Sequence, residues 1–126
     1  METYDPLEHP DPDQWLALDE DERIFLIVAF HERARVNLPN VQVHASFHAV
    51  IENQLVSEDP PQAIDTLERL LGEGLDRHEA IHAMGSVLSG VLYHAMKNPS
   101  QKVDSTQAYI EGLKALTVEK WLASGN

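Results

Sequence analysis

The stretch VQVHASFHAVIENQLV, residues 41–56, decides the fold of this chain. Its apolar residues and its two histidines recur at the three- and four-residue spacing of an α-helix. At about 100° per residue, His44 and His48 share one helix face with Ile51 and Leu55. The pattern therefore predicts a helix whose buried face carries two histidines one turn apart.

Four further helices are predicted around this one from apolar periodicity and from cap residues and prolines at the breaks. We expect helices from Asp19 to about Arg35, over about 41–56, from Asp59 to about Gly72, from Asp76 to about Lys97, and from Asp104 or Ser105 to about Leu116. Short segments at Trp15 and after Thr117 pack onto them. The predicted fold class is all-α, a bundle of about five helices joined by short loops. Residues 14–126 are expected to form one domain, and residues 1–13 an extended acidic arm.

Composition excludes several classes of protein. The chain contains no cysteine, so it has no disulfide, no thiolate metal site and no cysteine nucleophile. No apolar run approaches the length of about 18 residues that crosses a bilayer, and the first residues are acidic where a signal peptide would be basic. We therefore expect a cytoplasmic protein without a membrane partner.

The charge pattern is strongly acidic, with a formal net charge of −12. Nine of the 21 acidic residues precede Arg23, the first arginine or lysine. Such a surface repels phosphate backbones, and no cluster of basic residues interleaved with aromatic ones occurs. We therefore expect no nucleic-acid partner, and we attribute the acidity to solubility.

A second pair of histidines has the same spacing as the first and lies on the helix predicted to start at Asp76. Histidines four apart on a helix are close enough to bind one ion, and two inward pairs that face each other would surround one cavity. We predict one bound transition-metal ion whose ligands are His44, His48, His78 and His82. Glu52 is predicted as a fifth ligand or as a group that supports a ligand, and His31 as a substitute ligand. The nitrogen-rich set favours a single zinc ion, with nickel or iron as the other candidates, and no organic cofactor is implied.

An alternative without metal has the same residues. Histidines on an apolar face often satisfy one another and backbone carbonyls in a polar core. In that case the domain is an interaction module, and small Gly85 and Ser89 on one helix face would allow a homodimer.

A second alternative is a metal-dependent hydrolase. Residues 78–82, HEAIH, match the zinc protease pattern H-E-x-x-H, in which the glutamate is the base. Leu88 occupies the place of the third histidine of the longer metzincin pattern. Glu79 also has capping-box spacing from Asp76, which predicts that its carboxylate returns to the amide of Asp76. The sequence names no reaction.

The strings LPN (38–40), HASFHAVIENQ (44–54) and RHEAIHA (77–83) resemble, as a set, a family of small bacterial proteins known only as a domain of unknown function. The likeness covers most of the chain after about Trp15, up to ALTVEKW (115–121). It implies a helical fold and a bacterial origin, and it implies no catalytic role for any residue.

A partial likeness to hemerythrin-type di-iron bundles is also present. His31, the spacing from His48 to Glu52, and the spacing from His78 to His82 are similar to three ligand sets of that family. The fourth set, His-x4-Asp, is missing because a proline stands five residues after His94. This departure favours one ion over a dinuclear centre.

Overall fold

The computed structural model describes residues 1–36, 38–101 and 104–124, and these residues form seven α-helices and no strand. The helices are α1 (Pro12–Ala17), α2 (Glu20–Arg33), α3 (Val41–Ser57), α4 (Pro61–Gly72), α5 (Arg77–Lys97), α6 (Ser105–Ala115) and α7 (Val118–Ala123). The predicted all-α bundle is confirmed. Its five main helices are α2 to α6, and α1 and α7 are the two short packing segments. The predicted end of the domain at 126 lies outside the described residues.

Most helices begin where a short polar side chain can accept a hydrogen bond from the first turn. Asp19 and Glu22 form a complete reciprocal capping box at α2. Asn40 and Asp76 accept from the backbone N–H three residues later at α3 and α5. Each such cap satisfies an amide that the helix leaves unpaired. The start expected at Asp59 shifts instead to Pro61, because a proline at the first helical position already has a helical φ.

Helix α3 lies at the centre of the bundle and packs against both α2 and α5. It contributes to two apolar clusters, one with α2 and the N-terminal segment, the other with α4 to α7. Gly85 of α5 is buried against α3, where a Cβ atom would lie 3.8 Å from Phe47 Cβ. This glycine therefore serves a contact within the chain, and a homodimer stays a prediction.

The N-terminal segment packs on the bundle. Tyr4 is only 2% exposed, Pro6 and Pro10 are buried, and the Trp15 indole N–H donates to Asn53 Oδ1 of α3 at 2.9 Å. The charge of residues 1–13 gave no indication of this packing.

Within the described ranges, no helix combines the length and the apolar character that a membrane crossing requires.

Candidate metal centre

Four histidines from three helices converge between α2, α3 and α5. Each of them offers one ring nitrogen, and these atoms all lie within 4.8 Å of one another: His31, His48, His78 and His82. His31 and His48 are buried, and the two histidines of α5 are partly buried. Four histidines of this chain therefore lie close enough to hold a metal ion.

His44 lies at the edge of this set. Its Nε2 atom is 3.0 Å from Nε2 of His82, and its ring centroid is 4.8 Å from that of His31. The sequence analysis predicted His44 as a ligand and His31 as a substitute ligand. The four histidines whose nitrogens lie within 4.8 Å of one another, called the closest set below, include His31 and omit His44. The other three histidines are common to both sets.

The tautomer of His31 follows from one hydrogen bond. Its Nδ1 atom lies 2.8 Å from the carbonyl oxygen of Ile27, one turn earlier in α2. A carbonyl can only accept, so Nδ1 carries the proton and Nε2 carries the lone pair. That Nε2 atom is buried and has no hydrogen-bond partner among the described residues. In the neutral ring this atom would be available to a metal ion.

The tautomer of His48 follows from a chain of polar groups. Arg77 binds both oxygens of Glu52, at 2.6 and 2.9 Å, so Glu52 is an ionised acceptor. The Tyr4 hydroxyl donates its single proton to Glu52, and its oxygen lies 2.6 Å from His48 Nε2. Nε2 must then be the donor to Tyr4, which leaves the lone pair on Nδ1. The Nδ1 atom is buried without a partner in the described part of the chain.

His78 supplies a third unpaired atom, Nε2, which is also buried and has no partner within the described residues. Buried polar atoms are almost always paired, and each unpaired one costs about 1–3 kcal/mol. A cation that bound through these nitrogens would satisfy all of them at once. Because Zn–N bonds of about 2.0–2.1 Å place tetrahedral ligand atoms about 3.4 Å apart, the longest separation in the set, which is within 4.8 Å, would shorten by at most about 1.4 Å on binding.

Electrostatics favour the neutral form of four histidines of α3 and α5: His44, His48, His78 and His82. Burial, followed by the charges of the neighbouring histidines, lowers the pKa of His44 to about 4 and that of His82 to about 3. The same causes hold the pKa of His48 well below its usual range, and burial together with His31 lowers the pKa of His78. Neutral imidazole is the form that binds metal, so these rings are ready to act as ligands at pH 7.

Glu52 is fully buried, and its two oxygens are occupied by Arg77 and Tyr4. These contacts favour a role in supporting His48, the second of the two roles predicted for Glu52. Burial raises the pKa of Tyr4, and Glu52 raises it further, so the hydroxyl stays protonated and can donate.

Glu79 does not form the predicted reciprocal cap. Asp76 does accept from the Glu79 amide at 2.8 Å, but the Glu79 carboxylate turns to other partners. One oxygen accepts from the Trp121 indole N–H at 3.0 Å, and the other lies 4.0 Å from His82 Nδ1. The prediction of a bond to the Asp76 amide is wrong, because buried Trp121 of α7 offers a donor that the local sequence does not show.

A cleft of about 540 Å³ borders the cluster. Its wall includes His44, His48, His82 and Glu79, and most of the remaining wall is apolar, with Phe47 and Trp121 as its aromatic members. The cleft gives a small molecule a route to the edge of the cluster.

Tyr4 and Arg77 were missed at the level of sequence. The sequence did contain a signal for Arg77. Glu52 falls on a buried helix face, where a carboxylate needs a basic partner. The chain has only nine lysines and arginines, so the candidates for that partner are few. No comparable signal marks Tyr4, which lies in an acidic, proline-containing segment without periodicity.

Comparison with known proteins identifies a family to which the chain is similar. A family model described as "Domain of unknown function (DUF1841)" matches residues 7–115. No curated protein and no solved structure matches the chain.

Proposed function

The chain belongs to the DUF1841 family, and we propose that it binds one transition-metal ion through ring nitrogens of four histidines: His31, His48, His78 and His82. The supporting observation is the set of buried nitrogens without a partner among the described residues, His31 Nε2, His48 Nδ1 and His78 Nε2. Hydrogen bonds to Ile27 and to Tyr4 leave His31 Nε2 and His48 Nδ1 without a partner, and these two nitrogens favour a cation site.

The ligand chemistry narrows the choice of metal. Imidazole suits zinc, nickel and iron, whereas the closest set contains no carboxylate of the kind that calcium, magnesium or manganese prefers. Four nitrogen ligands fit the tetrahedral coordination of zinc best, with nickel and iron as the alternatives.

The metal-free interaction module is less well supported. In a self-sufficient polar core the ring nitrogens would pair with one another or with backbone carbonyls. Within the described residues, His44 pairs with His82 and His31 Nδ1 pairs with the carbonyl of Ile27, but three other ring nitrogens of the cluster have no partner. In a metal-free module the unpaired nitrogens would destabilise the folded protein, and no bound ion would offset this loss.

Metal-dependent hydrolysis is the second candidate function, and the cleft is the observation that favours it. The cleft reaches His82 and Glu79, which are both part of the H-E-x-x-H match. An ion at the cluster would lower the pKa of a water molecule that reached it from the cleft. A substrate for this site would be small, with an apolar portion that contacts Phe47 or Trp121.

A cytoplasmic location and the lack of a nucleic-acid partner also remain proposals. They are supported by the absence of cysteine and by the net charge of −12.

Metal analysis of protein purified without a histidine tag tests the proposal. We expect about one zinc, nickel or iron ion per chain. A chelator should lower the melting temperature by about 10 °C, since binding at 100 times Kd stabilises by about 2.7 kcal/mol. The variants His48→Ala and His82→Ala should lose this response.

His94→Ala is the matched control, because His94 lies on α5 with His78 and His82 but is exposed. It should bind metal and respond to the chelator like the wild type. Equal chelator effects in the wild type and in the His48 and His82 variants, or protein that takes up no metal, would contradict the proposed function.

A further inference from the structure

We propose that Tyr4 is a positioning residue for the metal centre: its hydroxyl, held by the ion pair of Arg77 and Glu52, orients His48 so that Nδ1 faces the ion. The inference rests on the proposed function for its metal-binding part. Tyr4 precedes residues 7–115, so the inference concerns this chain and not the matched family segment.

The ion pair that holds the Tyr4 hydroxyl is itself fixed by several hydrogen bonds. Glu52 is fully buried on α3, and Arg77 at the start of α5 binds it through two nitrogens. The same guanidinium donates to the carbonyl oxygen of Pro6 at 2.9 Å. Arg77 therefore fixes both the carboxylate that accepts from Tyr4 and the backbone two residues after Tyr4.

The Tyr4 ring is held by aromatic neighbours. Its centroid lies 5.7 Å from that of Trp15 and 6.4 Å from that of Phe30, and the residue is 2% exposed. It also meets His48 edge-on, with centroids 5.3 Å apart. The hydroxyl thus cannot swing away from His48 without displacing the N-terminal segment from the bundle.

The consequence for His48 is geometric. A hydrogen bond to one ring nitrogen fixes the ring rotation and the tautomer, and it increases the basicity of the other nitrogen. Metal-binding histidines commonly have such a partner in a carboxylate or a carbonyl. Here a tyrosine stands between the carboxylate and the imidazole, and it comes from a segment that neither His-x3-His pair includes.

Tyr4→Phe removes the hydroxyl and keeps the ring. Tyr109→Phe is the matched control, because Tyr109 is also buried and also donates to a side chain of α3, Gln54, at 2.6 Å. In competition titrations with zinc, Tyr4→Phe should weaken binding about 10- to 100-fold, the usual effect of removing a ligand's partner. Tyr109→Phe should stay within about twofold. The visible spectrum of the cobalt-loaded protein should change with Tyr4→Phe alone.

Nitrogen NMR of the metal-free wild type tests the arrangement without any variant and without metal. We expect His48 to carry its proton on Nε2. A proton on Nδ1 would overturn the inference, as would equal zinc affinity of Tyr4→Phe and the wild type, or equal losses in both tyrosine variants. Wild-type protein that binds no metal would instead overturn the proposed function, and with it the role of Tyr4 at a metal centre.

Discussion

The Nε2 atom of His44 lies 3.0 Å from the Nε2 atom of His82, so a hydrogen bond between two imidazoles joins α3 to α5 at the edge of the histidine cluster. One of the two atoms must supply its lone pair to this bond. Coordination through His82 Nε2 would therefore compete with the bond to His44. His44 is a neighbour of the closest set and faces the cleft, whereas His31 lies inside the set.

This relationship predicts unequal effects of two substitutions. His31→Ala removes a proposed ligand, and we expect zinc affinity to fall by more than about 100-fold, beyond the loss typical of an outer partner. His44→Ala removes a group outside the closest set, and we expect a loss of at most about tenfold. Competition titrations at pH 7.5 measure both. If His44→Ala weakens binding as much as His31→Ala, His44 is a ligand after all, as the sequence alone predicted.

Substitutions in the buried ion pair of Glu52 and Arg77 should affect protein stability and metal affinity differently. Arg77→Met leaves Glu52 as an unpaired buried charge, and we expect a loss of about 3–5 kcal/mol in the free energy of unfolding. The double variant Glu52→Leu/Arg77→Met should recover most of that loss, because an apolar pair can replace a buried ion pair.

Zinc affinity should not recover in the double variant, because the Tyr4 hydroxyl has lost its acceptor. Urea unfolding of chelator-treated protein and zinc competition measure the two quantities. Full recovery of zinc affinity would show that the ion pair does not act through Tyr4 and His48.

The contact between Glu79 and Trp121 predicts the result of changing Glu79. Glu79→Gln keeps an oxygen for the indole N–H, so the fold, the metal content and any hydrolytic activity should be nearly unchanged. Glu79→Ala leaves the N–H of buried Trp121 unpaired and should cost about 1–3 kcal/mol of stability. Thermal unfolding and metal analysis measure these effects. A folded, metal-loaded Glu79→Gln protein that had lost a measurable hydrolysis would restore the protease-like interpretation.

The lowered pKa values predict acid sensitivity of the metal-free protein. His44 and His82 have pKa values of about 4 and about 3 in the folded chain, against 6.5 for the ordinary side chain. Between pH 6.5 and these lower pKa values the unfolded chain binds more protons than the folded chain, so the free energy of unfolding falls as the pH falls. The stability that the neutral histidines contribute should be fully present above pH 6.5. It should be lost progressively as the pH falls toward 4 and 3.

Urea midpoints of metal-free protein at pH 7.5, 6 and 5 measure this dependence. His82→Ala should reduce the slope of stability against pH, because it removes one of the four histidines whose pKa is lowered. A midpoint that does not change between pH 7.5 and pH 5 would contradict neutral burial of these histidines.

The helices of this protein follow from local sequence. Asp19 with Glu22, Asn40 and Asp76 satisfy amides within one helical turn, and the three- and four-residue apolar spacing selects the face that is buried. For the same reason, the sequence was sufficient to predict that His48 points inward. Each of these features depends on atoms a few residues apart, so no knowledge of the packing is needed.

The composition of the cluster depends on packing. His31 replaces His44 in the closest set because of how α2 and α5 sit against α3, and no local pattern specifies that arrangement. The hydrogen bond from His48 to Tyr4 spans 44 residues, and the bond from Arg77 to Pro6 spans 71. The sequence by itself determined which helix faces are buried and that histidines lie on them. Only the tertiary structure decided which of their nitrogens meet, and which distant side chains orient them, because those contacts form when separate helices and the N-terminal segment come together.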